Sequence, residues 1–220
     1  MKGEIQKCRD AGLLRLHVDV FDGVYLDSPD ALTFGPQMVA CIRKRFADQR
    51  DLILDVHLCV DRPQRFTQSL ADAGASRIIF MSEAMIGEDN DSLVSSIAFA
   101  KQINSMKMKC GISINPDTPI SSIYPLLDTG LVDLVDVLAV EPGFGGQQFN
   151  EVAIQKIIML RKYINENLRS RGIDVKILVD GGINKHTSPL VKDAGADILV
   201  ARTSLFRHPL GFEEAVKEML

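Results

Sequence analysis

The amino-acid sequence predicts a parallel α/β barrel, on two observations: short apolar runs rich in β-branched residues recur along the chain, and amphipathic stretches separate them. The runs cover residues 13–20, 52–58, 77–80, 110–114, 135–140, 176–179 and 198–201. They are short and nearly continuous in apolar character, which is the pattern of strands covered on both faces. The stretches between them, residues 37–47, 64–73, 91–105, 151–171 and 188–194, carry the spacing of helices with one apolar face. Strands and helices in alternation imply parallel pairing, because neighbouring parallel strands need a long crossover between them.

A small internal echo marks the units. Asp10-Ala11-Gly12, Asp72-Ala73-Gly74, Asp128-Thr129-Gly130 and Asp193-Ala194-Gly195 each stand just before an apolar run, where glycine can take the left-handed conformation that ends a helix. Residues 27–30 and 87–91 are loop-like by composition, but no linker interrupts the series. A length of 220 residues with 46% hydrophobic content suits one domain over residues 1–220 with one continuous core. Residues 3–11 read as a helix with no strand before it, so seven runs are present where a closed TIM (β/α)8 barrel has about eight.

Bulk properties narrow the function. The formal net charge is −4 with both signs interspersed, so no basic surface is expected to gather nucleic acid or an anionic membrane. Cys8, Cys41, Cys59 and Cys110 are scattered without a paired spacing and read as reduced thiols, which favours a cytoplasmic setting. No apolar stretch approaches the roughly 20 residues of a membrane span, and residues 1–10 lack the apolar segment of a signal peptide. A small-molecule partner is the expectation that remains.

Chemistry-bearing residues gather at the ends of the runs. The first ends His17-Val18-Asp19-Val20-Phe21-Asp22-Gly23, and side chains two apart on a strand share a face, so His17 and Asp19 point together. The second ends Asp55-Val56-His57-Leu58, and a late one ends Val179-Asp180-Gly181-Gly182. Taken singly, a strand-end His or Asp is more often a cap or a loop anchor. As a set, His17, Asp19, His57 and Asp180 lie at the rim where such barrels keep their catalytic groups. They could hold one divalent metal ion of the Zn, Fe(II), Mn or Co type, with coordination left for a substrate oxygen. Asp22 and Asp55 could instead orient the ligands.

A second constellation concerns anions. The turn Val140-Glu141-Pro142-Gly143-Phe144-Gly145-Gly146-Gln147 follows one run and precedes a helix, so it can present backbone N–H groups to a phosphate. Gly181-Gly182 can do the same after the next run. One glycine-rich turn is weak evidence, whereas two in succession late in a barrel fall where phosphate is commonly bound.

Together, His17-Val-Asp-Val-Phe-Asp-Gly23, Asp55-Val-His-Leu-Cys-Val60, Asn115-Pro-Asp-Thr118, Val140-Glu-Pro-Gly-Phe-Gly-Gly-Gln147 and Val179-Asp-Gly-Gly-Ile183 resemble the ribulose-phosphate 3-epimerase family, from about Glu4 to the C-terminus. The resemblance implies a TIM barrel and a metal-dependent isomerase that epimerises D-ribulose 5-phosphate to D-xylulose 5-phosphate at C3, through a 2,3-enediolate. It implies that His17, Asp19, His57 and Asp180 hold the metal and that Asp19 and Asp180 are the two acid/base groups. Substrate and phosphate contacts would fall to His57, Gly143, Phe144, Gly145, Gly146, Gly181, Gly182, Arg202 and Thr203, and the protein would be a homo-oligomer.

The chain also departs from that pattern. The family's first strand is missing, which would leave two unpaired edges unless further residues, another segment or another subunit close the gap. Phe21, Cys59 and Leu138 stand where the family has methionines, Met81 where it has a histidine near a retained Glu83, and Arg202-Thr203 where it has a Gly-Ser turn. Arg202 could clamp a phosphate, block its approach or face solvent. The loop over residues 24–33 is longer and carries Asp27-Ser28. These changes leave two other readings: an epimerase for a hexulose 6-phosphate, or a catalytically impaired barrel acting in binding or assembly.

Overall fold

A computed structural model describes residues 2–47, 51–85 and 92–219, so the loop expected at residues 87–91 lies outside the described residues. Seven strands, β1 (Arg15–Phe21), β2 (Ile53–Cys59), β3 (Arg77–Met81), β4 (Lys109–Ile114), β5 (Leu134–Leu138), β6 (Lys176–Asp180) and β7 (Ile198–Val200), form one parallel sheet in sequential order. Each matches an apolar run of the sequence to within a few residues. The helices are α1 (Lys2–Asp10), α2 (Pro36–Arg45), α3 (Thr67–Asp72), α4 (Ser92–Ser105), α5 (Tyr124–Leu127), α6 (Val152–Tyr163), α7 (Thr187–Ala194), α8 (Thr203–Phe206) and α9 (Phe212–Met219). The glycines expected to end the units, Gly12, Gly74, Gly130 and Gly195, all have positive φ. Sequence periodicity did not register α5 and α8, which are four residues each. It also passed over α9, although Phe212, Ala215, Val216 and Met219 bury one helical face.

The sheet curls into a nearly closed barrel, and strand alternation sorts its residues into two populations. Val18, Val20, Leu54, Val56, Ile78, Phe80, Ile112, Val135, Val137, Ile177 and Val179 pack outward in the main core shared with the helices. The inward set is layered. At the N-terminal ends of the strands, Asp55, which is fully buried, accepts from Arg15 Nε at 2.6 Å and Arg77 Nη1 at 2.8 Å, and Arg77 also bonds Asp133 at 3.1 Å. Ile79, Leu134 and Leu178 fill the interior as a second apolar cluster. That filling explains Gly111, where a Cβ would stand 2.9 Å from Ile79 and 3.2 Å from Leu134.

Among the described residues β1 and β7 each pair on one side only. Leu13, Leu199, Ala201, Leu205, Val216 and Met219 line a cavity of about 260 Å³ at that seam. Helices α1 and α9 cover part of it through Cys8, Phe212 and Val216. Truncating Asp55 would remove the buried partner of Arg15 and one of the two carboxylates that hold Arg77, so Asp55→Ala should cost about 1.5–3 kcal/mol in denaturant unfolding, and a loss below about 0.5 kcal/mol would contradict this role.

Candidate functional site

Because β1, β2, β5 and β6 bring their inward residues to one level, imidazoles and carboxylates converge inside the C-terminal mouth. Asp19 Oδ1 lies 3.2 Å from His17 Nε2 and 3.2 Å from His57 Nδ1. Asp180 Oδ2 is 3.7 Å from His17 Nε2, and the two imidazole rings are 5.3 Å apart. The four residues expected at the rim are thus brought together from three strands. A fifth, Asp136 on β5, was not anticipated: its Oδ2 is 3.8 Å from His57 Nδ1. Its sequence mark was a lone carboxylate within the apolar stretch Leu134-Val-Asp-Val-Leu138.

Depth differs across the set. The side chains of Asp136 and His57 are 0% and 2% exposed, whereas Asp180 and Asp19 reach 21% and 45%. Asp19 and Asp180 therefore face whatever enters the mouth. Over His57 sits an apolar collar of Phe21, Cys59, Met81 and Leu138, with Tyr25 and Leu26 against it. His57 Nε2 meets Met81 Sδ at 3.1 Å and Cys59 Sγ at 3.5 Å.

Electrostatics separate the groups. Burial opposes charge on His17, but the carboxylates of Asp19, Asp180 and Asp136 outweigh it and push the imidazole up to about 9. Burial likewise opposes charge on His57, and Cys59, Asp19 and Asp136 reverse it, raising its pKa. Burial also works against an ionised Asp19, yet the two imidazoles hold its carboxyl far below the usual range. At Asp180 burial prevails, with Asp19 and Asp136 adding to it against the imidazoles, and the carboxyl is pushed up to about 7.

The donor set fits a divalent ion. Ligand atoms of His17, His57, Asp136 and Asp180 all lie within 4.8 Å of one another. Both His17 ring nitrogens and Asp136 Oδ1 are buried without a well-formed hydrogen bond among the described residues. Buried polar atoms left in that condition are costly, and a shared cation would satisfy them.

Other residues singled out from the sequence fall around this centre. Asp22 anchors a loop, accepting from the backbone N–H of Val24, Tyr25 and Asp61 at 2.8–2.9 Å, and Asp55 is held in the barrel floor by Arg15 and Arg77. Neither contacts a site imidazole through these bonds. The Asn115–Thr118 turn is pinned by Glu83, which accepts from Asn115 N–H at 2.9 Å and from the Thr118 hydroxyl, and by Lys156 Nζ at 2.6 Å from the Asn115 carbonyl.

At the C-terminal end of β5, on the same mouth, the glycine-rich turn is braced by Gln147 Nε2, which donates to the carbonyls of Glu141 and Phe144 at 2.7 and 2.9 Å. Phe144 is exposed, Gly143 packs near Leu26, and a Cβ on Gly145 would stand 3.6 Å from Arg202 Nη1. The Arg202 guanidinium therefore hangs over that turn, with Thr203 next to it opening α8. Gly181 and Gly182 have a packing reason of their own: a Cβ there would meet Val140 at 2.5 Å and the Phe149 backbone at 2.8 Å. A groove of about 470 Å³, lined by Asp22, Pro36, Asp61, Arg62, Arg65 and Ser69 among others, lies apart from the imidazoles.

Comparison with known proteins adds a lineage. A model described as the ribulose-phosphate 3 epimerase family matches residues 1–206. The ribulose-phosphate 3-epimerase of Bacillus subtilis (strain 168) is 35% identical over 203 residues, covering 92% of this chain and 84% of that protein. That of Chlamydia pneumoniae is 36% identical over 205 residues, covering 92% and 80%. Among solved structures, a 3-hexulose-6-phosphate synthase aligns at TM-score 0.66 and 15% identity, over 98% of this chain and 89% of that one. KGPDC from Streptococcus mutans aligns at TM-score 0.65 and 16% identity, over 100% and 90%. At such identities these two report the barrel fold alone. No helix among the described residues is long and apolar enough to cross a membrane.

A cation entering the cluster must displace protons from His17, held up to about 9, and from Asp180, held up to about 7. Protons compete with the ion for these groups, so the apparent affinity for a divalent ion should rise as pH climbs through the window between those values. Chelator competition at stepped pH measures this, and an affinity that is flat across the window would contradict it.

Proposed function

The chain belongs to the ribulose-phosphate 3-epimerase family, and on that premise we propose that it epimerises D-ribulose 5-phosphate and D-xylulose 5-phosphate at C3, with Asp19 and Asp180 as the two acid/base groups. The observation that carries this reading is the divergence of their proton affinities. In the metal-free cluster the imidazoles hold Asp19 ionised, while burial and the neighbouring carboxylates keep Asp180 protonated up to about pH 7. Inversion at a carbon needs a base on one face and an acid on the other. Asp19, from β1, takes the C3 proton, and Asp180, from β6, returns one to the opposite face of the 2,3-enediolate. The reverse reaction exchanges the roles, which suits a freely reversible isomerisation.

His17 stands between the two carboxyls, in contact range of both, and holds them apart in orientation and charge. A divalent cation held by His17, Asp19, His57 and Asp180 would supply Lewis-acid stabilisation for the negative charge that builds on the substrate oxygens. The collar of Phe21, Cys59, Met81 and Leu138 gives the mouth an apolar lining over His57, while Ile79, Leu134 and Leu178 seal the floor beneath the site. The turn at Gly143, Phe144, Gly145 and Gly146, with Gly181, Gly182, Arg202 and Thr203, is the phosphate end, and the position of Arg202 over Gly145 supports the clamp over the other roles open to this side chain. We take residues 1–220 as one sugar-phosphate-binding domain. The free cysteines fit a cytoplasmic setting, and homo-oligomer formation rests on the family resemblance alone.

Two observations favour a second substrate. Phe21, Cys59 and Leu138 give the collar a different shape from a ring of flexible methionines, and Arg202 sets the phosphate end by a long side chain; both bear on sugar length, so a hexulose 6-phosphate is the competing substrate.

In deuterated water, C3–H exchange of D-ribulose 5-phosphate followed by NMR should fall by about 10²–10⁴-fold in Asp19→Asn, and exchange at the wild-type rate in that variant would sink the assignment. Arg202→Ala should raise KM about tenfold or more with kcat little changed; an unchanged KM would place Arg202 outside the phosphate site.

A further inference from the structure

We propose that Asp136 is a further ligand of the divalent cation, so that this chain holds its metal with three carboxylates and two imidazoles. This rests on the cation reading above and adds to it a donor from a fourth strand, β5. Asp136 shares the inward face of β5 with Leu134 below it and Leu138 above it, and its register partners are Ser113 on β4 and Leu178 on β6. It is fully buried. Ser113 Oγ donates to its Oδ2 at 3.3 Å, and Oδ1 has no hydrogen-bond partner among the described residues.

A carboxylate sealed among apolar side chains with one oxygen unsatisfied is expensive to keep, and a leucine like its neighbours at 134 and 138 would fill the space without that cost. Its atoms nonetheless fall in the same 4.8 Å group as His17, His57 and Asp180. The hydroxyl of Ser113 fixes Oδ2, which leaves Oδ1 as the open donor. The exposure gradient assigns the labour: Asp19 and Asp180 meet solvent at the mouth, whereas Asp136 has no route to substrate and can serve only from beneath. A third carboxylate adds negative charge around the ion, which strengthens retention of a divalent cation and favours oxygen-seeking metals such as Mn or Co over a thiolate-seeking choice.

The test compares wild type with Asp136→Asn and Asp136→Leu, using zinc and cobalt ions as probes and a chelator in competition. Both variants should bind about 10–100-fold more weakly, and the visible absorption of the cobalt form should change. Equal affinity and an unchanged cobalt spectrum would overturn the role of Asp136 and leave the cation reading intact. Failure of the wild type itself to bind either ion would overturn both. Should the variants not fold, zinc-loaded wild-type crystals decide the matter by anomalous scattering: an Asp136 oxygen about 2.0–2.2 Å from the ion is expected, and one beyond about 3 Å rejects it.

Discussion

The mouth of this barrel depends on one constraint: three carboxylates and two imidazoles crowd one space that runs from a buried floor to a solvent-facing rim, and their charges must balance there. Parallel strands in sequential order send alternate side chains inward, so His17 and Asp19, His57, Asp136 and Asp180 have no other direction to point. Crowding then sets their protonation. Asp19 stays ionised between the imidazoles, and burial, with the carboxylates around it adding to the effect, keeps Asp180 neutral. The separation of acid from base thus follows from the imidazoles that flank Asp19 and the burial that dominates at Asp180.

Strand positions, the barrel class and the rim set His17, Asp19, His57 and Asp180 were legible in the sequence, because apolar runs and strand-end chemistry are local signals. Asp136 was not, although it interrupts an apolar strand, since only the barrel's closure makes β5 face β1 and β2. Asp55 illustrates the converse. Two residues from His57 on the same strand face, it invited a ligand-orienting role, yet Arg15 and Arg77 from neighbouring strands claim both its oxygens. Short helices such as α5 and α8 escape periodicity because one turn carries no repeat.

The rim shows how a family pattern is kept while its parts change. The glycine-rich turn remains, and Arg202 reaches over Gly145 where backbone alone would serve in a Gly-Ser turn. The four collar residues Phe21, Cys59, Met81 and Leu138 still close over His57. At the seam, β1 and β7 lack a common partner among the described residues, and Leu13, Leu199 and Val216 line the gap between them.

The account stands on the cluster being a cation site. Dialysis of the protein against a divalent metal, followed by elemental analysis, tests it most directly: about one ion per chain is predicted for the wild type, and essentially none when His17 and His57 are both changed to alanine. A wild-type chain that retains no ion, or a doubly substituted chain that retains as much, would contradict it.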